Sequence, residues 1–479
     1  MAWPIPQLQL QLQSTTRPYA FILIALALLL PILIGAVTGV LHCPNYTYVA
    51  AQFWLPATYA TAQSLLLFGG AIVMVIEYGE YKHVIWNHWR VLELYTWQRW
   101  THNPLALLAS HVLLPEADIA ARMAGLEPGP PDAASVGKVL FADEILAAGQ
   151  FRFQRICQEL LTAVGPALAA AQARSHARLQ VWLQSPITLT DLHCEQVREQ
   201  ISQAGLPAPQ KISVLDNNKV LEAQQTFRSD DQVIHLVLAL QYHATVDDDT
   251  PEGAAALVLC TGWHAAHYGQ STCNQLFRPM QTRTSTLAAD MHTWITRGQQ
   301  PRDQLKQLWI GSLDKSTQYS IKTLAGDMAL PLRQNPPAFG VFDLEKSLGR
   351  FGPVAYWLML ALGTELVACN QGSQALALGN ADRIDLQMTG LANSEWARFG
   401  TPDQPFYYPA AGIIMVGWGI AMALAAIPII LDPQADNAPT TIAAAILGLL
   451  ALGTPLIYAK WLENQWRPHF EYEVRSTTP

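Results

Sequence analysis

Apolar residues along this chain gather in four long runs, two toward each end, around a central stretch in which short apolar runs alternate with helical patterns. The runs cover residues 19–41, 57–76, 408–431 and 440–461, and none carries a charge in its interior. A helix needs about 20 such residues to cross a hydrocarbon core of roughly 30 Å. The pattern therefore predicts four transmembrane helices in two hairpins, with Pro31, Pro428 and Pro455 bending the helices without ending them. The first run is longer than a signal-peptide core and no Ala-x-Ala site follows it, so it reads as a permanent anchor. Short flanks bearing Lys and Arg stay in the cytoplasm. Arg17, then Lys82, Arg90 and Arg99, then Lys460, Arg467 and Arg475 flank the runs on one side, whereas the loops 42–56 and 432–439 hold no basic residue. Both termini and the central segment are thus expected on the cytoplasmic side of a bacterial inner membrane, with membrane lipid as a partner.

After the second run, Trp86, Trp89, Trp97 and Trp100 fall on one helical face with Glu93 among them. Indoles beside a membrane commonly lie at headgroup depth. The sharper expectation is a stripe that binds a protein partner. Helical patterns over 105–126 and 141–174 follow, separated by a Pro- and Gly-rich break at 127–132. Beyond 178, β-rich runs at 179–183, 212–215, 233–240 and 254–259 alternate with helical stretches. A second series places strands at 308–310, 339–342, 374–378 and 383–388, so the fold class is α/β in two similar halves. The expected division is a cytoplasmic N-terminus (1–18), a first hairpin (19–77), a juxtamembrane Trp-rich and helical region (78–177), an α/β domain (178–392), a connector and second hairpin (393–461), and a cytoplasmic tail (462–479).

Composition narrows the chemistry. Charged residues make up 14% of the chain against 51% hydrophobic, the balance of a part-membrane protein. A net charge of -8 without a basic run excludes nucleic acid as a partner. The six cysteines are widely scattered, which suits reduced thiols better than a disulfide framework. No cofactor motif occurs, and neither a Gly-x-Ser-x-Gly elbow nor a phosphate-binding loop is present.

Two segments of the central domain resemble the thiolase fold, in particular its β-ketoacyl synthase branch. Residues 250–259, Thr-Pro-Glu-Gly-Ala-Ala-Ala-Leu-Val-Leu, are similar to that family's Pro-Gly-Glu-Gly-Ala-Gly-Ala-Leu-Val-Leu stretch, and residues 346–352 resemble its Lys-x-x-x-Gly-His-x-x-Gly loop in shortened form. The resemblance covers 179–390 and implies a layered α/β domain whose relatives condense acyl groups with a thiolate and two imidazoles. Condensation needs those groups at fixed places. The stretch 216–220 before the 233 strand has no Cys, and Arg350 stands where the family's His would be. A guanidinium keeps its proton and cannot replace a neutral imidazole. The resemblance therefore implies a degenerate domain that binds without condensing.

Cys260, His264, His267 and Cys273 bring four metal-ligand types into one stretch, but at no standard finger spacing. A solvated turn accounts for Asp247, Asp248 and Asp249, and His88 and His292 are expected to be structural. The function expected is a non-catalytic adaptor or scaffold. The layout resembles inner-membrane proteins associated with bacterial type VI secretion effector and spike genes. Two alternatives stay open: a membrane-bound acyltransferase or condensing enzyme using Cys194 or Cys260, and an immunity protein acting against a toxin at the membrane.

Overall fold

A computed structural model describes residues 3, 19–42, 50–123, 126–128, 139–141, 144, 146, 150–217, 219–243, 250–267, 273–297, 299–333, 340–380, 383–391, 409–431 and 438–476. Two compact units emerge: residues 1–3 with 98–399, and residues 4–97 with 400–479. Residues 98–177, expected as a juxtamembrane region, fall within the first of these. The acidic run at 247–249 lies outside the described residues.

The chain opens with α1 (Tyr19–His42) and α2 (Ala50–Ser64), and a π-helical turn at Leu65–Gly69 joins α2 to α3 (Gly70–His102). The α/β unit then begins with β1 (Leu105–Leu113), α4 (Ile119–Met123) and α5 (Arg152–Ser175). Its first half runs β2 (Arg178–Gln184), α6 (Asp191–Gln203), β3 (Lys211–Val214), α7 (Val220–Phe227), β4 (Val233–Gln241) and β5 (Gly253–Thr261). Between the halves lie α8 (Gly262–His267), β6 (Asn274–Leu276), β7 (Met280–Thr282) and α9 (Leu287–Thr296). The second half runs β8 (Leu305–Gly311), α10 (Lys315–Asp327), β9 (Val341–Asp343), α11 (Leu344–Leu348), α12 (Ala355–Ala368), β10 (Ser373–Asn380) and β11 (Arg383–Leu391).

These strands form one mixed sheet in the order β3-β2-β4-β5-β1-β6-β11-β10-β8-β9, with β7 on β11. The similarity of the halves is now explicit. In each, the second strand of the series lies outermost, three strands are parallel, and the fourth returns antiparallel: β3-β2-β4-β5 in the first half and β9-β8-β10-β11 in the second. Helices α5 and α6 cover one face of the first half through Ile156, Leu160, Val164, Val197 and Ile201. On its other face Val237, Leu257 and Leu259 share a core with α7, α12 and Leu376 and Leu378 of β10. Helix α12 thus lies between strands of both halves, as a layered α/β fold requires.

One expectation changes here. Residues 105–113 read as helix, Leu-Ala-Leu-Leu-Ala-Ser-His-Val-Leu being rich in good helix formers, yet they form β1. The strand pairs antiparallel with β5 along most of its length and with β6 at its start. Cross-strand pairing and burial between two neighbours outweigh local propensity. The helix expected over 141–174 begins at Arg152 as α5 and passes through Pro166 to Ser175.

The chain closes with α13 (Ala411–Leu431) and α14 (Ala438–Ser476). Two helices are long and apolar enough to cross a membrane, Phe53–His102 and Ile442–Val474, where the pattern had predicted four. Shorter apolar stretches, Leu28–His42 and Ala411–Ala426, come from α1 and α13 among the described residues. Helices continue through Pro31 and Pro455. Contacts in this unit are close. A Cβ on Gly35 would collide with Thr61 Oγ1, and one on Gly412 would collide with the Met74 amide nitrogen. Small residues permit this approach where packing, without a hydrophobic drive, holds helices together.

A buried carboxylate fastens the β4–β5 hairpin. Glu252, wholly inaccessible, accepts from the Leu140 amide at 2.7 Å and the His243 amide at 2.8 Å, and pairs with Arg152 at the start of α5. Losing one side of a buried pair costs about 3–5 kcal/mol. Glu252→Ala should lower the stability of the full chain by about that much in a urea titration, with exchange protection lost first in β4 and β5. Arg152→Ala should cost less, since Glu252 then keeps both amide donors.

Candidate functional site

Both motif segments singled out above meet in space. Gln241, at the end of β4, donates its side-chain N–H to Pro251 O at 2.8 Å and to Arg350 O at 3.0 Å, stitching the 250–253 turn to the 349–352 loop. The fit is tight enough to require glycine. A Cβ on Gly253 would lie 2.8 Å from the Phe351 ring, and one on Gly349, which sits at φ 99°, would lie 2.6 Å from Pro251 Cγ. Only glycine adopts that backbone without strain. Arg350 contributes its carbonyl here, while its guanidinium is 78% exposed and stands 3.8 Å from Glu345.

Helix α7 is where the resembled family would carry its nucleophile. Its entry is a turn closed by the Lys219 amide on Asp216 O at 2.9 Å, and no thiol is present at its first positions. The adjacent space is filled. Asn217 Oδ1 accepts from Gln184 Nε2 at 3.2 Å, and Gln184 Oε1 accepts the indole N–H of Trp357, whose ring is wholly buried at the start of α12. Behind these residues the core is polar and cross-bonded, with His235 Nε2 left without a partner among the described residues. Gln224 donates to Tyr356 Oη, Tyr356 donates to Gln387, and Gln387 donates back to Gln224 Oε1 at 3.0 Å, closing a ring. Burial raises the Tyr356 phenol well above its ordinary range, with Asp385 adding to the rise. Arg228 spends all five N–H donors on Asn103 O, Gln224 O and Oε1, Leu276 O and Phe277 O. Burial first, and then Arg278, lowers its guanidinium to about 9, so it stays cationic at neutral pH. His235 accepts from Trp182 Nε1 at 3.1 Å and stacks on Phe227, and burial lowers it to about 4. It is neutral at working pH.

The buried and half-buried thiols of the unit are held protonated. Burial raises Cys157, Cys194 and Cys273, with Asp191 adding to the effect on Cys194, and burial with Cys273 pushes Cys260 up to about 12. A nucleophilic Cys needs the opposite shift. Of the four metal-ligand candidates, Cys260 is buried in β5 and Cys273 is half-buried before β6. His264 donates its backbone N–H to Thr261 Oγ1 at 3.2 Å and bonds Asp231 O through Nδ1 at 2.7 Å, while the His267 ring stacks on Trp263 at 4.8 Å. Among the described residues no group of three or more His, Cys, Asp or Glu side chains is placed to hold a metal.

The indole stripe divides between the units. In the helical unit, Trp86 and Trp89 are buried with Tyr81 against Trp466 and Phe470 of α14, Trp86 meeting Phe470 edge-on at 5.2 Å. Tyr81 Oη donates to Glu463 at 2.7 Å in the same seam. Trp97 is buried and Glu93 half-buried. In the α/β unit, Trp100 keeps 37% of its surface, and Arg278 lies 4.2 Å over its ring. The seam was missed because its other half stands hundreds of residues away. Its signal is the spacing of Ala459, Leu462, Trp466 and Phe470 along one face of α14.

No protein-family model matches the sequence, and no curated protein matches it. Solved structures similar to it include ketosynthases and a condensing enzyme. One is a type II polyketide ketosynthase in complex with its acyl-carrier protein, at 12% identity and TM-score 0.42, covering 60% of this chain and 99% of that one. An oxazolomycin ketosynthase domain from Streptomyces albus has 10% identity and TM-score 0.40 over 64% of this chain and 99% of its own. OleA of Xanthomonas campestris, with bound lauric acid and lauroyl-CoA, has 10% identity and TM-score 0.37 over 60% and 99%. Likeness at this level establishes neither activity nor ligand for this chain.

One carboxyl gives the unit a pH signature. Glu365 on α12 accepts from the Val112 amide, and burial, with Asp118 adding to it, raises it from 4.5 to about 7. The folded state then holds the proton more tightly than the unfolded one. Stability from this group is full below pH 4.5, declines as pH rises to 7, and stays lost above. Glu365→Gln should be more stable than the parent at pH 8 by about 3 kcal/mol, because each tenfold difference in proton affinity between folded and unfolded chains is worth about 1.36 kcal/mol. Urea titrations at pH 4.5 and pH 8 should show the gain only at the higher value.

Proposed function

We propose that this protein is a membrane-anchored, non-catalytic adaptor or scaffold, whose α/β unit is a degenerate thiolase-like domain that holds a protein partner. The filled entry of α7 carries this reading: Asn217, Gln184 and Trp357 bond one another where condensation would need an accessible thiolate. The repeated β-α-β-α-β-β order of the two halves supports the thiolase-like assignment independently of any superposition. Four spans in two hairpins, with the α/β unit and both termini on the cytoplasmic side of the inner membrane, belong to the same reading, which the basic flanks support. In this reading the partner is a secretion effector or spike protein, and the stripe contributes through Trp100 and Glu93, the members that keep exposed surface.

An acyltransferase acting through Cys194 or Cys260 would require a thiolate that burial opposes at both positions. Two measurements separate the readings. Iodoacetamide should label Cys260 in the folded full chain about a thousand-fold more slowly than an exposed thiol, since the reactive thiolate becomes roughly tenfold scarcer each time the pKa rises by one. An acyl-thioester probe should leave Cys194 and Cys260 unacylated. Acyl turnover that disappears in Cys194→Ala or Cys260→Ala would remove the adaptor reading. Photo-crosslinking from position 100 in native membranes should capture one specific protein, in a yield that falls on Glu93→Lys.

A further inference from the structure

The π-helical turn at Leu65–Gly69 interrupts the run of helix from α2 to α3. Ser64 before it and Gly70 after it are both helical, at φ -67°, ψ -34° and φ -59°, ψ -42°, and no proline occurs within it. A π turn accommodates one residue more than the α-helix would, and such bulges collect at functional positions. At 3.6 residues per turn, one residue is about 100° of rotation.

That rotation lies between the contacts with α1 and those with α14, while α13 is met on both sides of it. Upstream, Thr61 and Ala57 face Gly35 of α1, and Tyr59 Oη donates to Met422 O of α13. Downstream, Gly70 and Met74 face α13, where a Cβ on Gly70 would stand 2.8 Å from Met415 Cβ and 2.9 Å from the Val416 nitrogen. Glu77 then caps α13, accepting from the Ala411 amide at 3.1 Å and the Gly412 amide at 2.9 Å. Further along, the same helix presents Trp86 and Trp89 to Phe470 of α14. The turn itself is held from outside: a Cβ on Gly419 of α13 would lie 2.8 Å from Leu67 Cδ2 and 3.1 Å from the Leu67 nitrogen. A side-chain bond before the bulge and close backbone approach within and after it hold α13 across it.

We infer that this π turn is a register device: it inserts the one residue of phase that lets a single helix face α1 above it and the aromatic seam below it while α13 runs alongside. Its conversion to regular α-helix would turn Trp86 and Trp89 away from α14 and bare them. The inference does not depend on what the α/β unit binds.

Two cysteine pairs in the full chain in native membranes read the two faces: Trp89→Cys with Phe470→Cys for the seam, and Phe53→Cys with Gly39→Cys for the α1 contact. A short bis-maleimide and mass spectrometry report both. Leu66→Ala, which keeps the residue count, should crosslink both pairs like the parent. Deleting Leu66 should cut at least one crosslink about tenfold, because the phase between the faces shifts by about 100°. Inserting Ala after Gly79 in the deletion should restore the seam crosslink. Should the deletion retain both crosslinks, the inference is overturned. If the deleted chain does not accumulate, the deletion with inserted Ala decides: accumulation with a seam crosslink supports a register device, and failure of that chain too overturns it.

Discussion

A helix with no polar face cannot finish its burial against one sheet. Twelve of the 14 residues of α12 are buried, from Ala355 through Val367. A helix apolar all round must be enclosed on all sides, and here the enclosure comes from β5 and β1 on one side and β10 and β11 on the other. The repeated order of the two halves follows as a requirement of closure. Each half supplies a sheet face, and β1 with β6 bridges them so that no edge is left open at the centre.

Closure has a chemical consequence. A core that surrounds a helix completely has to satisfy every polar group it contains, since an unpaired buried donor costs about 1–3 kcal/mol. The ring of Gln224, Tyr356 and Gln387, the five-fold coordination of Arg228 and the Gln184 bond to Trp357 all serve this end. What stabilises the interior also occupies the place where a reacting group would need room, mobility and an ionisable partner. The imidazole present in this core, His235, is held neutral by burial.

The helical unit solves a different problem. Close backbone approach and aromatic contact hold its helices together. Glycines admit α13 against α3, and Tyr81, Trp86 and Trp89 close on Trp466 and Phe470. Indole and phenol rings tolerate partial exposure at such a seam because each carries a polar edge that can remain bonded or wet.

Much of this was legible in the chain. The alternation of β-rich runs and helices from 179 onward located most strands of both halves within a few residues, because strand periodicity and turn residues act locally. The apolar runs located the helices at each end for the same reason. The Pro-Glu-Gly turn and the Gly349 loop stood out as motifs, although nothing local says that Gln241 joins them. Residues 105–113 were misread, since a Leu- and Ala-rich sequence becomes a strand only when β5 and β6 offer it edges. The Trp stripe was visible as spacing, but its counterpart on α14 lies far along the chain, and only folding brings Phe470 to Trp86. The sequence by itself determined which segments are apolar, which alternate and which chemistry is missing at 216–220 and 350, all properties of neighbouring residues. Only the tertiary structure decided what fills the space left by that missing chemistry, because Trp357, Gln184 and Asn217 meet through sheet closure over 173 residues of separation.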